Sequence, residues 1–258
     1  MTDASDQTRG GHKLGVWLIN LDRDHERREK MEQQLAELGL SYERFSAIYG
    51  KDHIDELSKR VDDSAYMRNM GQPILPGKMG VYASHIAVWE EFIASGKDVA
   101  LILEDDVVFH DDFLESLDVA LANSTEWDTI RFNCIRAKFP VKQKKVGPYH
   151  INAYAGPFTG NACYLLHRSV ALRLLPNLWP QTRAFDHELN CFYRHNFRQF
   201  GLEPFSSHVD DGDLSSITGP SFALVKKPKW YKRLPHYRLK AMNYIRRTVW
   251  LLKNRHLI

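Results

Sequence analysis

The feature that most constrains this chain is a run of five apolar residues, Val99–Leu103, that ends without a spacer in three carboxylates, Glu104-Asp105-Asp106. A continuous apolar run this short reads as a strand buried on both faces, as strands are in sheets covered by helices. Three adjacent acids cannot follow it into a core, so the strand must end at a rim. In open α/β sheets the rim at the carboxyl ends of the strands is where ligands bind. The opening of the chain fits the same architecture. Leu14–Leu21 reads as a buried strand, and Asp24 is placed to cap a helix over His25–Leu38 with Met31, Leu35 and Leu38 at helical spacing. Gly39 stops that helix and Tyr42–Ala47 follows as a second strand. This is β-α-β, the unit of parallel sheets.

Further along, residues 48–79 are polar and punctuated by Gly and Pro, and read as a long excursion with at most one short helix. Gly80–Ile93 reads as a helix stopped by Gly96, and Asp111–Ala122 as another. Thr129–Asn133 and Ala162–Leu166 read as strands, Ser169–Leu174 and Asp186–Phe192 as helices, and Gly201 as a later stop. Residues 136–161 are basic and turn-rich without a clear period. Strands alternating with helices give an α/β sheet flanked by helices. The expected division is a disordered leader over 1–12, a catalytic domain over 13–225, and a separate tail over 226–258.

Charge separates the tail from the rest. The net charge of +3 hides eleven Lys/Arg and no acid in residues 226–258, against 24 basic and 32 acidic side chains in residues 1–225, a net of −8. The near-neutral total argues against a generally basic nucleic-acid binder. Cys134, Cys163 and Cys191 are too few and too scattered for a disulfide framework or a zinc cluster, which suits a reducing compartment. The first twelve residues have no apolar core of a secretory signal, and no apolar run approaches the roughly 20 residues that span a bilayer.

The acid triplet is the sharpest chemical signal. In extended backbone Glu104 and Asp106 share one face and Asp105 takes the other. Carboxylates so close repel one another unless they are solvated or hold a cation, and Mg²⁺ or Mn²⁺ take one or two carboxylates together with substrate phosphates. The alternative is an ordinary solvated turn. Asn20 and Arg23 lie just past the first strand, and Arg23, Arg27 and Arg28 offer forked donors to phosphate, although Arg28 reads better as a solvated helix residue. His85, after Ser84 and near Trp89, reads either as a ligand-site residue or as a satisfied core histidine. P-loop, dinucleotide-fold and hydrolase-elbow motifs are absent.

Taken together the segments VWLINLDRDHERREKMEQQLAELGLSYERFSAIYG (16–50), GKMGVYASHIAVWEEFI (77–93), ALILEDDVVF (100–109), GPFTGNACYLLHRSVALRLLP (156–176) and FDHEL (185–189) resemble glycosyltransferase family 25. That family includes bacterial lipopolysaccharide and lipooligosaccharide galactosyltransferases, with collagen galactosyltransferases as relatives. The resemblance implies a GT-A-like nucleotide-sugar fold and a UDP-sugar donor, most often UDP-galactose. It also implies transfer with inversion to a glycolipid oligosaccharide, with glucosyl or N-acetylhexosaminyl transfer as the alternative. By position it implies that Asn20, Arg23, Arg27, Ser84, His85, Glu104, Thr159 and Gly160 bind the donor. Asp105, Asp106 and His208 would hold Mn²⁺ or Mg²⁺, and Asp186 would be the general base. Tyr154, Phe158, Tyr164, Trp179 and Phe185 offer faces for sugar stacking, or pack in the core.

The tail interleaves its basic residues with Trp230, Tyr231, Tyr237, Tyr244 and Trp250, and from Arg238 onward Leu239, Met242, Ile245, Val249 and Leu252 form a helical stripe. A basic amphipathic helix with interfacial aromatics suits an anionic membrane surface, here the inner face of the bacterial cytoplasmic membrane. Docking onto the acidic body and non-specific nucleic-acid binding are the competing readings; no nucleic-acid partner is expected. A non-catalytic membrane or nucleic-acid binding protein is the reading from a different functional class.

Overall fold

The computed structural model describes residues 7–210 and 228–254. Its strands are β1 (Gln7–Arg9), β2 (His12–Asn20), β3 (Glu43–Ser46), β4 (Val99–Glu104), β5 (Val107–Phe109), β6 (Thr129–Arg131), β7 (Arg136–Ala137), β8 (Pro140–Val146), β9 (Tyr149–Tyr154), β10 (Phe158–Thr159), β11 (Cys163–His167), β12 (Gln199–Glu203) and β13 (Ser207–Val209). Its α-helices are α1 (His25–Glu37), α2 (Ile54–Leu57), α3 (Asp63–Met70), α4 (Pro76–Ser95), α5 (Phe113–Ala122), α6 (Arg168–Leu174), α7 (Phe185–Leu189), α8 (Phe192–His195) and α9 (Leu234–Lys253).

The central sheet is mixed, in the order β1-β2-β4-β11-β6-β12-β9-β8, with β3 sharing the outer edge of β2. The expected β-α-β opening is present: β2 runs parallel to both β3 and β4. Beyond β4 the sheet turns largely antiparallel, with only β6 and β12 parallel. β4 is covered on both faces, and Val99 through Leu103 are buried. The pattern also set the helix ends. Met31 and Leu35 are buried one turn apart on α1, which closes before Gly39 at φ +63°. Pro76 opens α4 at its first position, and Gly96 at φ +70° closes it.

Several expectations are corrected. Residues 7–12 are not a leader but an antiparallel hairpin turning at Gly10-Gly11, both at positive φ; residues 1–6 lie outside the described residues. Asp24 sits at the N-cap of α1, yet its side chain makes no capping bond. The excursion over 48–79 holds α2, a 3-10 turn and α3, and α4 begins four residues earlier than expected, at Pro76. The stretch 136–161 is not irregular: β8 and β9 form a hairpin that extends the main sheet to its far edge. Gly201 is no stop but lies within β12, where a Cβ would come 2.7 Å from the Tyr154 hydroxyl.

The tail is not a free appendage. One side of α9 docks on the body: Tyr193 donates to Asn243 Oδ1 (2.7 Å), Arg247 Nε to the Ala155 carbonyl (2.9 Å), Trp250 Nε1 to Asn196 Oδ1 (3.1 Å) and His236 Nδ1 to the Asn69 carbonyl (2.8 Å). Trp250 and Leu251 join the main core. The docking reading therefore holds for this helix. The stripe of Met242, Ile245, Val249 and Leu252 nevertheless faces outward, because a second set of residues makes the contact. Residues 226–227 and 255–258 of the expected tail lie outside the described residues.

Candidate active site

β2, β3 and β4 run parallel, so their carboxyl ends share one rim, and Asn20, Ser46 and Glu104 stand there. The loop after β3 is pressed onto α4 by two glycines. A Cβ on Gly50 would fall 1.8 Å from the Pro76 carbonyl oxygen, and one on Gly80 would fall 2.3 Å from that of Ile48. Ser84 Oγ fastens the same contact, accepting from the Ile48 amide (2.8 Å) and donating to the Gly80 carbonyl (2.8 Å). The result is a cleft lined by Ile19, Leu21, Ile48, Tyr49, Glu104 and Asp105 among others. Its wall is mainly apolar with carboxylates at one end, the lining typical of a small-molecule site. Asp105 also lines a second, charged cleft with Arg27, Lys30, Asp106 and Asp210.

Asn20 fixes the acid turn from below. Its Nδ2 donates to Asp105 Oδ2 (2.7 Å) and to the Asp24 carbonyl (3.1 Å), while its Oδ1 accepts from Arg44 Nε (3.2 Å). Both amide N–H groups and one lone pair of the oxygen are thus engaged inside the protein and shape the turn. Among the described residues Arg27 is the Lys or Arg that pairs with the triplet, 3.4 Å from Asp105 Oδ1 and 3.9 Å from Asp106 Oδ2. Asp106 Oδ1 is buried with no hydrogen-bond partner. Burial, then Asp105's neighbours Asn20 and Arg27 acting against it, leave Asp105 above the usual carboxylate range. Asp106 is pushed up to about 7 by burial and by the charges of Glu104 and Asp105. A partly buried carboxylate with one orphaned, buried oxygen and two acidic neighbours suits a hard divalent cation.

The expected three-ligand set is not assembled. Among the described residues no three His, Cys, Asp or Glu side chains are grouped to hold a metal. β13 pairs with β5 so that His208 lies opposite Val108, and its exposed ring meets His110 instead, 2.8 Å from Nδ1 to Nε2. His208 is therefore not grouped with Asp105 and Asp106 in this structure.

Glu104 is held by a buried relay. Trp89 Nε1 donates to the Tyr164 hydroxyl (2.9 Å), that hydroxyl pairs with His85 Nδ1 (3.1 Å), and His85 Nε2 reaches Glu104 Oε1 (3.2 Å). A carboxylate acceptor requires the proton on Nε2, which leaves Nδ1 to accept from Tyr164. Phe185 stacks flat on the His85 ring, with centroids 4.4 Å apart and an interplanar angle of 4°. Phe185, Tyr164, Tyr154 and Phe158 are buried, so they pack rather than offer faces to sugar; the partly buried Trp179 lies under Arg60 at 3.9 Å.

Asp186 opens α7 beside the β10 turn. Its Oδ2 accepts from the Gly160 amide (3.1 Å) and its Oδ1 from the His187 amide (2.9 Å). Gly160 has φ +88°, and a Cβ there would meet the Ile135 amide nitrogen at 2.7 Å. Arg131 props the turn, donating to the carbonyls of Phe158 and Gly160, each at 2.9 Å. Burial works to raise the Asp186 pKa, but His187, Lys78, the Gly160 amide and Arg131 outweigh it and hold the carboxyl below its usual range. The turn leads to the acid triplet, since the Glu104 amide donates to the Ala162 carbonyl (2.7 Å). Asp186 is thereby tied to Gly160, and the segment that follows Gly160 is tied through Ala162 to the start of the acid triplet.

Arg23 stands at the other end, its guanidinium 4.0 Å from the centre of the Tyr49 ring. Tyr49, Arg44 and Asn161 were not singled out as site residues from sequence, and Tyr164 was read only as a sugar-stacking or core ring. Buried Asn161, between Gly160 and Ala162, leaves both amide atoms without a well-formed hydrogen bond.

The family model described as "Glycosyltransferase family 25 (LPS biosynthesis protein)" matches residues 14–188, which span the rim, the acid turn and Asp186. The chain belongs to glycosyltransferase family 25. Among curated relatives, a "Glycosyltransferase 25 family member" of Aedes aegypti is 32% identical over 134 residues, covering 46% of this chain and 21% of that protein. "Procollagen galactosyltransferase 1" of Danio rerio is 27% identical over 211 residues, covering 79% of this chain and 34% of that protein. A rat relative, 29% identical over 132 residues (45% of this chain, 22% of that protein), is named "Probable inactive glycosyltransferase 25 family member 3". The chain spans about a fifth of the length of the first of these relatives.

Proposed function

We propose that this family 25 chain transfers galactose from UDP-galactose, with inversion, to a hydroxyl of a lipopolysaccharide or lipooligosaccharide acceptor. The observation that carries the reading is the junction of a mainly apolar cleft with an incompletely partnered acid turn at one sheet rim. The cleft wall at Ile19, Leu21, Ile48 and Tyr49 suits a flat base, and Arg23 and Arg27 suit the anionic part of the donor. A divalent cation, Mn²⁺ or Mg²⁺, held by Asp105 and Asp106 would offset the negative charge of the diphosphate. In a single displacement the acceptor oxygen bonds to the anomeric carbon, the bond from that carbon to the diphosphate oxygen breaks, and UDP leaves. The acceptor proton passes to Asp186, which His187, Lys78, the Gly160 amide and Arg131 keep ionised while its two hydrogen bonds leave further lone pairs open. The Trp89–Tyr164–His85 relay holds Glu104 in place.

Residues 226–258 are proposed to bring this site to an anionic membrane surface, such as the inner face of the bacterial cytoplasmic membrane. The outward apolar stripe of the docked α9 supports that; no helix among the described residues is long and apolar enough to cross a membrane. The test is UDP release from a panel of UDP-sugars with Mn²⁺. Release is expected from UDP-galactose above UDP-glucose and UDP-N-acetylhexosamines, and about 10²–10⁴-fold less in Asp186→Asn. Turnover of another UDP-sugar at the higher rate replaces the donor assignment. Donor binding without any turnover instead supports a non-catalytic member, the reading that the name of the rat relative motivates.

A further inference from the structure

Residues 129–185 contain nine Lys/Arg and no Asp or Glu, a block the donor site leaves largely unused. Five of them, Arg136, Lys138, Lys142, Lys144 and Lys145, are exposed along β7 and β8. β8 is an edge of the main sheet, and lysines on an edge strand discourage strand addition. That accounts for Lys142, Lys144 and Lys145 but not for their apolar neighbours. Ile135 is 71% exposed and Phe139 64%. Phe139 also has φ +54°, a conformation unfavourable for any residue with a Cβ. Its ring is not buried in return; its aromatic neighbour is Tyr244 of α9, 6.0 Å away centroid to centroid.

That contact joins two surfaces. The Phe139 carbonyl accepts from the Ala155 amide (3.1 Å), and the Ala155 carbonyl accepts from Arg247 of α9. Outward on α9 lie Ile245, 56% exposed, and Leu252, 55% exposed, with Arg246 and Lys253 beside them. We propose that residues 135–145 and the outer face of α9 form one continuous surface that seats on an anionic bilayer, Phe139 and Ile135 entering the interface and the lysines meeting lipid phosphates. Bulky apolar side chains interleaved with cations and free of acids match a negatively charged surface with an apolar interior. Duplex nucleic acid would match the cations and leave the aliphatic stripe unused. The surface also abuts the turn that leads to Gly160 and Asp186: β7 pairs with β10, placing Arg136 opposite Thr159, and the Ile135 amide donates to the Thr159 carbonyl (2.9 Å). This last link rests on the transferase reading; lipid binding itself does not.

The experiment is co-sedimentation with phosphatidylcholine vesicles, with and without phosphatidylglycerol, read beside UDP-sugar hydrolysis and melting temperature. Phe139→Asn suits the left-handed backbone, so it should melt no lower than the parent and hydrolyse donor equally, yet bind anionic vesicles about tenfold more weakly. Lys142→Glu with Lys145→Glu should weaken binding and its salt dependence. Ile245→Ser with Val249→Ser should weaken it independently. If only the α9 variant loses binding, the hairpin is not part of the surface and the inference is overturned. Equal binding to neutral vesicles overturns it too, as does tighter binding to duplex DNA at the same salt that ignores Phe139→Asn. Failure of hydrolysis in the parent protein would count against the transferase reading alone.

Discussion

Asp106, partly buried, and Glu188, buried, are carboxylates that the fold treats in opposite ways. Glu188 on α7 accepts from Arg183 (2.8 Å), Arg194 (3.1 Å) and His195 (3.1 Å). Burial alone would raise its pKa, but His195 and the two arginines hold it at about 2. Among the described residues Asp106 has one cation, at 3.9 Å, with an orphaned oxygen and two acidic neighbours, and it stands at about 7. The first group is completed by its own chain and fastens α7 to α8. The second is left incomplete at a ligand-binding rim, as expected where the missing partner comes from outside. Burial alone therefore does not distinguish a structural carboxylate from a functional one; the partner count does.

The comparison is broken most sharply by mutating each acid. Asp106→Asn should lower kcat/KM for the donor by about 10³-fold, the scale of losing a main electrostatic contact, without lowering the melting temperature. Glu188→Gln should do the reverse, destabilising by about 3 kcal/mol while turnover per folded molecule stays within about twofold. Denaturant unfolding beside initial rates separates the two; loss of fold in the first or of turnover in the second would merge the classes.

pH sharpens the contrast in a metal-free buffer. The Glu188 pKa falls from 4.5 to about 2 on folding, so its stabilisation is present above about 4.5 and fades as pH falls through 2. The Asp106 pKa rises from 3.8 to about 7, so the folded state binds the extra proton in that window. Its contribution therefore declines as pH rises from 3.8 to 7, by at most about 1.4 kcal/mol per pH unit. Melting curves should show Asp106→Asn more stable than the parent at pH 8 and equal to it near pH 4. A smaller effect is expected from Tyr164→Phe, which strips partners from Trp89 and His85. It should cost about 1–2 kcal/mol and loosen Glu104 enough to lower kcat modestly.

Much of this was legible in the sequence where a local pattern carries one meaning. The apolar run into Glu104-Asp105-Asp106 located both β4 and the acid turn, and Gly39 and Gly96 marked helix ends by the left-handed conformation they supply. The β8–β9 hairpin was hidden because its lysines mask the alternation expected of a strand, and an edge strand tolerates them. The stripe of Met242, Ile245, Val249 and Leu252 read correctly as one face of a helix. Which face would dock could not be read, because the docking face is built from Asn243, Arg247 and Trp250, residues with no apolar period. His208 was misplaced because its neighbour is set by the pairing of β13 with β5, a contact nearly a hundred residues apart in sequence. The relay through Tyr164 is likewise a long-range match and has no local signature.

The most direct test of the incomplete acid turn as donor site is a calorimetric titration of UDP into the protein with Mn²⁺. The account predicts binding that needs the cation, is lost with EDTA, and weakens about a hundredfold or more in Asp106→Asn while Glu188→Gln binds as the parent does. UDP binding of equal strength in EDTA and in Asp106→Asn would contradict it.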